Sequence, residues 1–300
     1  MIKSIGHENN KLKLKNIVLS GNIANAYLFV GKAGIGKKIV ATEFAKSILC
    51  ENPLSGVACD SCRSCLTFDN NSDFKVISPV KDVIKVDMVR ELIEELFLKP
   101  TISQRKVFII DDADKMNEQA QNALLKVLEE PPDYATVILI ASSKEKLLNT
   151  IKSRVVEFLF DKLTDGEIIS ILKKRNNNID DDMINMCVKY ANGSALKALE
   201  VVNDSNFEIE NDIAKSILEK DFLKMNQKFE LLKSDKSLKA DIPHVLEKVM
   251  YIFYHKLKTD ITFDYRLIEI LENTIENIKK NANLDLALDA MMISILETKR

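Results

Sequence analysis

Three stretches of this 300-residue sequence carry residue types at spacings that do chemistry. The first is Gly31-Lys32-Ala33-Gly34-Ile35-Gly36-Lys37-Lys38, which follows the apolar run Tyr27-Leu28-Phe29-Val30 and opens a helical pattern through Ala45 and Leu49. Such glycines let backbone N–H groups turn inward around phosphate oxygens, the helix start adds partial positive charge, and Lys37 can reach the outer phosphates. The stretch is a Walker A loop in its strand–loop–helix setting. Its last position departs from the pattern. Lys38 stands where a Ser or Thr hydroxyl normally ligates magnesium, and an ammonium group cannot replace that ligand.

The second stretch is Asp111-Asp112-Ala113-Asp114, at the end of the apolar run Lys106-Val107-Phe108-Ile109-Ile110. It has the pattern of a Walker B strand, in which Asp111 would organise magnesium and its water shell. A Glu ordinarily follows to orient the attacking water. Asp112 is one methylene shorter, and small displacements in such geometry lower rates strongly. Both departures predict that ATP and magnesium are bound weakly, without fast turnover. The third stretch holds Cys50, Cys59, Cys62 and Cys65, a C-x8-C-x2-C-x2-C pattern in a Pro- and Gly-containing insert after the phosphate-loop helix. Four thiolates with two short chelating turns suit tetrahedral zinc and leave no coordination slot for a substrate, so a structural ion is expected. An iron–sulfur cluster is the alternative metal reading. Cys187, in the pattern Met183, Met186, Cys187, Tyr190, is expected to be an ordinary core residue.

Elements of definite kind must position these residues. Up to about residue 160 short β-rich runs alternate with helical patterns, including Thr136-Val137-Ile138-Leu139-Ile140, which predicts an α/β domain with a parallel sheet covered on both faces. From Leu163 the pattern is helical, with Thr164-Asp165-Gly166-Glu167 capping one helix and Asn192-Gly193-Ser194 separating two others. This small helical domain is expected to end near Asn203. Residues from Phe207 onward hold one Pro, Pro243, and no Gly, with apolar residues at helical spacing through Val245, Val249 and Ile252 and through Leu284, Leu288, Met291 and Ile295. A helical bundle is predicted there. The expected domains are therefore 1–160, 161–204 and 205–300. Lys11, Lys13 and Lys15 alternate with apolar residues and are expected to form one solvated face.

Charge narrows the function. With 43 Lys and Arg against 45 Asp and Glu, the formal charge is −2, so no overall basic field marks a nucleic-acid binder and any DNA contact must be local. The N-terminus lacks an apolar signal core and no run of eighteen apolar residues occurs, which predicts neither export nor membrane insertion. A reducing cytoplasm is the expected location, where cysteines serve as metal ligands or free thiols.

The phosphate loop with its four-cysteine insert, then Ala123-Leu124-Leu125-Lys126-Val127-Leu128-Glu129-Glu130-Pro131-Pro132, then Ser153-Arg154, resembles the clamp-loader family of bacterial DNA polymerase III. The similarity covers nearly the first two hundred residues. Catalytic gamma/tau members carry an intact Thr after the loop Lys and an Asp-Glu pair, and are usually longer; with Lys38 and Asp112 this chain instead resembles the delta-prime subunits. That resemblance implies an AAA+ module, a small lid domain and a C-terminal helical collar domain in a hetero-oligomer of five subunits. The implied partners are gamma/tau and delta subunits, the sliding clamp and primed DNA bound without sequence preference. Delta-prime subunits generally act as stators, and Ser153-Arg154-Val155 matches their Ser-Arg-Cys motif except for Val in place of Cys. Arg154 would then act in trans, as an arginine finger in a neighbour's ATP site. Ser142 or Ser143 occupies the place of the polar sensor of the γ-phosphate, or else caps a helix. Lys197, in Gly193-Ser194-Ala195-Leu196-Lys197-Ala198-Leu199, holds the second sensor place, or is a solvated helix lysine. Two other readings stand beside the stator: an active gamma/tau-type ATPase tolerating both substitutions, and a zinc-stabilised scaffold without a nucleotide role.

Overall fold

The apolar runs form the three central strands of one sheet, because a strand covered on both faces needs apolar residues at every position. The computed structural model describes residues 4–175, 181–203, 207–234, 236–259, 263–280 and 282–298. They form two compact units, residues 1–199 and 200–300.

The first unit runs α1 (Glu8–Ser20), β1 (Ala26–Val30), α2 (Lys37–Leu49), α3 (Arg63–Leu66), β2 (Phe74–Ile77), α4 (Val86–Phe97), β3 (Lys106–Ile110), α5 (Glu118–Glu129), β4 (Ala135–Ala141), α6 (Asn149–Lys152) and β5 (Val156–Leu159), then α7 (Asp165–Arg175), α8 (Asp181–Ala191) and the first residues of α9 (Ala195–Asn203), whose last turn falls in the second unit. The five strands are all parallel, in the order β2-β3-β4-β1-β5. Every residue of β1, β3 and β4 is buried. Leu28, Val30, Phe108, Ile110, Val137 and Leu139 pack into one cluster with Val89, Leu92 and Leu96 of α4 and Leu124 and Val127 of α5. Tyr27 meets the Phe44 ring of α2 edge-on at 5.1 Å between centroids, so the alternate residues of β1 face the opposite layer. The edge strands β2 and β5 had no unbroken apolar run to announce them, since each leaves residues partly exposed.

Lys11, Lys13 and Lys15 do not form one solvated face, because they lie in a helix, where positions two apart point in different directions. Lys11 turns inward and donates to the Ser4 carbonyl at 2.7 Å. The capping box is present: the Glu167 N–H donates to Thr164 Oγ1 at 3.3 Å, and Glu167 Oε2 accepts from the Thr164 N–H at 2.7 Å. Cys187 is fully buried in α8, as expected, whereas the side chains of Met183 and Met186 lie outside the described residues.

Asp73, just before β2, is wholly buried and accepts the backbone N–H groups of Thr101, Ile102 and Ser103 at 2.7–3.1 Å, which fixes the loop that enters β3. Asp73→Ala leaves those amides unpaired and is expected to cost about 3 kcal/mol or more of stability, read from the midpoint of urea unfolding.

The second unit is helical throughout its described residues: α10 (Phe207–Glu219), α11 (Phe222–Ser234), α12 (Lys236–Thr259), α13 (Arg266–Lys279) and α14 (Leu284–Glu297). Val245, Val249, Leu288, Met291 and Ile295 join one core with Phe229, Phe253 and Leu271. Pro243 lies inside α12. Among the described residues of the whole chain, no helix is long and apolar enough to cross a membrane.

Candidate functional site

Parallel strands align their carboxyl ends, and ligands in open α/β sheets bind beyond those ends. Here the ends of β1, β3 and β4 bring together the phosphate loop, Asp111–Asp114 and Ser142. The loop is tied to β4 by the Gly31 N–H, which donates to the Ala141 carbonyl at 3.2 Å. Its carbonyls are taken by protein donors. Lys37 Nζ donates to the carbonyls of Gly31 and of Lys32, the latter at 2.8 Å. Ser194 Oγ donates to Ala33 O and the Leu196 N–H to Gly34 O, each at 3.1 Å, while His7 Nε2 lies 2.8 Å from Ile35 O and must carry the proton there. Among the described residues, the amides of Gly34, Ile35 and Gly36 have no protein acceptor. Bonded carbonyls and unpaired amides are the parts of an anion-binding nest, and Gly34 and Gly36 permit its backbone with φ of 78° and 98°. A Cβ on Gly34 would collide with Ser194 Oγ and Leu196 Cβ, so the start of α9 closes directly over the loop.

Lys37 is 6% exposed. Burial lowers its pKa, opposed by the charges of Asp112, Asp111 and Asp114. The acidic residues facing it are themselves paired. Lys38 Nζ lies 2.9 Å from Asp111 Oδ2, Lys115 Nζ lies 3.2 Å from Asp112 Oδ2, and Lys146 Nζ lies 3.9 Å from Asp114 Oδ2. Asp112 sits in the left-handed region at φ 49°, which aspartate tolerates better than most residues. Hydrogen bonds from Lys115 to Asp82 and then to Asp112 raise the Lys115 pKa, keeping that cation charged. Magnesium, which the loop type implies, meets a poor donor set here. The hydroxyl ligand is absent, and the carboxylate that would share the ion already holds an ammonium.

Ser142 presents its backbone N–H to Asp114 Oδ1 at 3.0 Å, and its side chain is exposed at the end of β4. Ser143 donates through Oγ to Glu145 Oε2 at 2.6 Å, a local turn contact. Lys197, in the first turn of α9, is half-buried. Lys162 and Lys197 stand close enough to Lys32 to hold its pKa down, burial being the larger cause, and Lys32 and Lys162 bond Asn192 through its carbonyl and side-chain oxygens, both at 3.0 Å.

Arg154 lies apart from this group. It follows α6, exposed, with Nη2 3.0 Å from Glu129 Oε1 and Nη1 donating to Thr150 O at 2.9 Å and to Ser153 Oγ at 3.3 Å. Its partners belong to the α5 and α6 ends and not to the phosphate loop.

The four cysteines converge, their sulfurs all within 4.8 Å of one another. Cys50 Sγ is 3.9 Å from Cys62 Sγ, and Cys59 Sγ is 4.0 Å from Cys65 Sγ. A zinc ion with four thiolates at 2.3 Å needs edges of about 3.8 Å, so the set fits tetrahedral coordination. The Cys59 N–H donates to Cys50 Sγ and the Cys62 N–H to Cys59 Sγ, both at 3.3 Å, as amides do around metal-bound thiolates.

Sequence reasoning missed His7, Ser194, Glu129 and the pairing of Lys38 with Asp111. Gly193-Ser194 at a helix start was the available signal for Ser194; a lone His7 and one Glu of Glu129-Glu130 carried none.

The family whose model describes "DNA polymerase III, delta subunit" matches residues 6–164, more than half of the chain. A DNA polymerase III subunit gamma of Buchnera aphidicola subsp. Schizaphis graminum is 33% identical over 217 residues, 70% of this chain and 60% of that protein. A DNA polymerase III subunit delta' of Pseudomonas aeruginosa is 40% identical over 138 residues, 45% of this chain and 42% of that one. This chain thus spans three-fifths or less of these relatives. A gamma subunit-related protein of Thermotoga maritima shares the fold, with TM-score 0.51 and 21% identity over 97% of this chain and 100% of its own. With a parallel five-stranded AAA+-like sheet, a phosphate loop and these relatives of both gamma/tau and delta-prime type, the chain belongs to the DNA polymerase III delta-subunit family of clamp-loader proteins.

Proposed function

We propose that this chain is a non-motor, delta-prime-type subunit of a cytoplasmic bacterial clamp loader, which supports ATP-dependent loading of the sliding clamp on primed DNA. The observation that carries this reading is the ion pair between Lys38 Nζ and Asp111 Oδ2 at 2.9 Å. It neutralises the carboxylate on which magnesium-dependent hydrolysis depends, in a loop that has already lost its hydroxyl ligand. In this reading Arg154 acts in a neighbouring gamma/tau site, residues 161–204 form the lid and 205–300 the collar piece. Gamma/tau and delta subunits are the protein partners. DNA is met through backbone phosphates rather than base edges, since a loader must accept any primed junction. The cysteine set holds a structural zinc ion.

The similarity to gamma-type relatives favours a second reading, an ATPase that works alone. Steady-state hydrolysis by the purified chain with magnesium separates the two. The non-motor reading expects a rate at least about a hundredfold below that of a gamma/tau subunit under the same conditions. A robust rate abolished by Lys37→Ala overturns it.

A further inference from the structure

We propose that the phosphate loop of this chain holds a nucleoside di- or triphosphate without a divalent cation, the Lys38 ammonium standing in the position that magnesium takes in related loops. The inference rests on reading residues 31–38 as a nucleotide loop, and not on the role given to Arg154.

A hard divalent cation in such a loop is held between a loop hydroxyl, a strand-end carboxylate and phosphate oxygens. Here the hydroxyl residue is Lys38, in the first turn of α2, and its Nζ reaches the strand-end carboxylate of Asp111 at 2.9 Å. One substitution therefore removes a ligand and delivers a positive charge to the remaining one. A divalent ion entering beside that ammonium would meet its repulsion at short range. Lys38 also keeps capacity for a ligand. An ammonium has three donors, and beyond Asp111 its other protein neighbour, Ser78 Oγ, is distant at 3.5 Å.

The rest of the loop is arranged for an anion. The carbonyls of residues 31–35 all accept protein donors, the amides of Gly34, Ile35 and Gly36 have no protein acceptor among the described residues, and beyond its own chain neighbours and helix backbone no described atom lies within 4 Å of a Cβ built on Gly36. A metal-free polyphosphate brings more uncompensated negative charge than its magnesium complex, and this loop is correspondingly rich in cations. Lys37 is buried at its base, Lys32 of the loop and Lys162 both bond Asn192, and Lys197 is near enough to Lys32 to act on its charge. The acids nearby do not compete, because Asp112 and Asp114 have their own partners in Lys115 and Lys146. Bound nucleotide in this arrangement is a shape-holding ligand of the loop and of the α9 start, which closes on the loop through Ser194 and Leu196.

The test is equilibrium binding of ATP, ADP and inorganic tripolyphosphate to the full chain, in buffer freed of divalent ions by resin treatment rather than chelator, so that thiolate-held metal is retained. Each titration is repeated with millimolar magnesium. The unaltered chain is expected to bind ATP and ADP in both buffers with affinities within about threefold, and Lys37→Ala to weaken both by about tenfold or more. Lys38→Thr should weaken metal-free binding and gain about tenfold or more on adding magnesium, because it restores a hydroxyl ligand and frees Asp111. Lys38→Gln, which keeps a polar side chain but removes the charge and one bond of reach, should lose metal-free binding and gain nothing from magnesium; far-ultraviolet circular dichroism confirms that each variant folds. Binding by the unaltered chain only with magnesium, no binding in either buffer, or a Lys38→Thr variant indifferent to magnesium overturns the proposal. Tripolyphosphate binding alone, without ATP or ADP, overturns its nucleotide part. None of these outcomes bears on Arg154, which is tested separately in a reconstituted loader.

Discussion

Replacing Arg154 by Ala is expected to slow single-turnover ATP hydrolysis at the adjoining gamma/tau site of a reconstituted loader by about 10³-fold, the lower end of the range for arginine fingers supplied in trans. The size of that effect separates it from structural damage. The Arg154 and Glu129 side chains are 36% and 51% exposed, and a surface pair of this kind contributes at most about 1 kcal/mol to stability. Arg154→Ala should therefore leave the unfolding midpoint almost unchanged while hydrolysis collapses. Arg154→Lys tests the geometry, since a point charge keeps the sign but loses the planar fork that meets two phosphate oxygens at once. It should recover only a small part of the rate. Glu129 Oε1 pairs with Nη2 at 3.0 Å and the Thr150 carbonyl accepts from Nη1, so the guanidinium is positioned before any partner arrives. Glu129→Gln loosens that hold and is expected to lower the same single-turnover rate by about tenfold, without changing the affinity of the neighbour for ATP. An Arg154→Ala subunit that assembles and supports full clamp-dependent hydrolysis removes the trans role.

How much of this could be read from the sequence depends on whether the determining contacts are local. The phosphate loop, the Asp111–Asp114 strand end and the cysteine set are written in spacings of a few residues, and the strands that carry them are fully buried and hence uniformly apolar. The sequence places Lys38 next to Lys37 and thus reveals a missing magnesium ligand. It does not reveal that the same side chain reaches Asp111, because that contact joins α2 to the end of β3, more than seventy residues away. Glu129 with Arg154, Ser194 with Ala33 and His7 with Ile35 are hidden for the same reason. Strands β2 and β5 are short edges whose residues are only partly buried, so their composition approaches that of a loop. The reading of Lys11, Lys13 and Lys15 as one face failed by applying a period of two to residues that lie in a helix.

Loss of the metal from the cysteine set should unfold its insert while sparing the sheet. The segment from Cys50 to Cys65 has little apolar material of its own: Cys50 and Cys65 are buried, but Leu54 and Val57 are 68% and 36% exposed. Its remaining ties are polar, such as the Ala58 N–H to Ser47 Oγ at 3.2 Å, the Ser64 N–H to Glu51 Oε1 at 3.2 Å and the surface pair of Lys46 with Asp60. Each contributes on the order of 1 kcal/mol, against an ordering cost of about 1–2 kcal/mol for every backbone residue fixed. Zinc bound by thiolates supplies about 10–16 kcal/mol in small zinc-folded peptides, enough to reverse that balance. Cys59→Ser with Cys62→Ser, or removal of zinc by a strong chelator, is accordingly expected to abolish bound metal and to open the segment between Cys50 and Cys65 to proteolysis. Circular dichroism of the sheet and the main unfolding transition should change far less, because the buried core of β1, β3, β4, α4 and α5 includes no cysteine. The purified chain should carry one zinc per molecule by elemental analysis. A chain that carries no zinc when purified under reducing conditions, and whose quadruple serine variant resists protease equally well, rules out a structural metal and leaves four ordinary thiols.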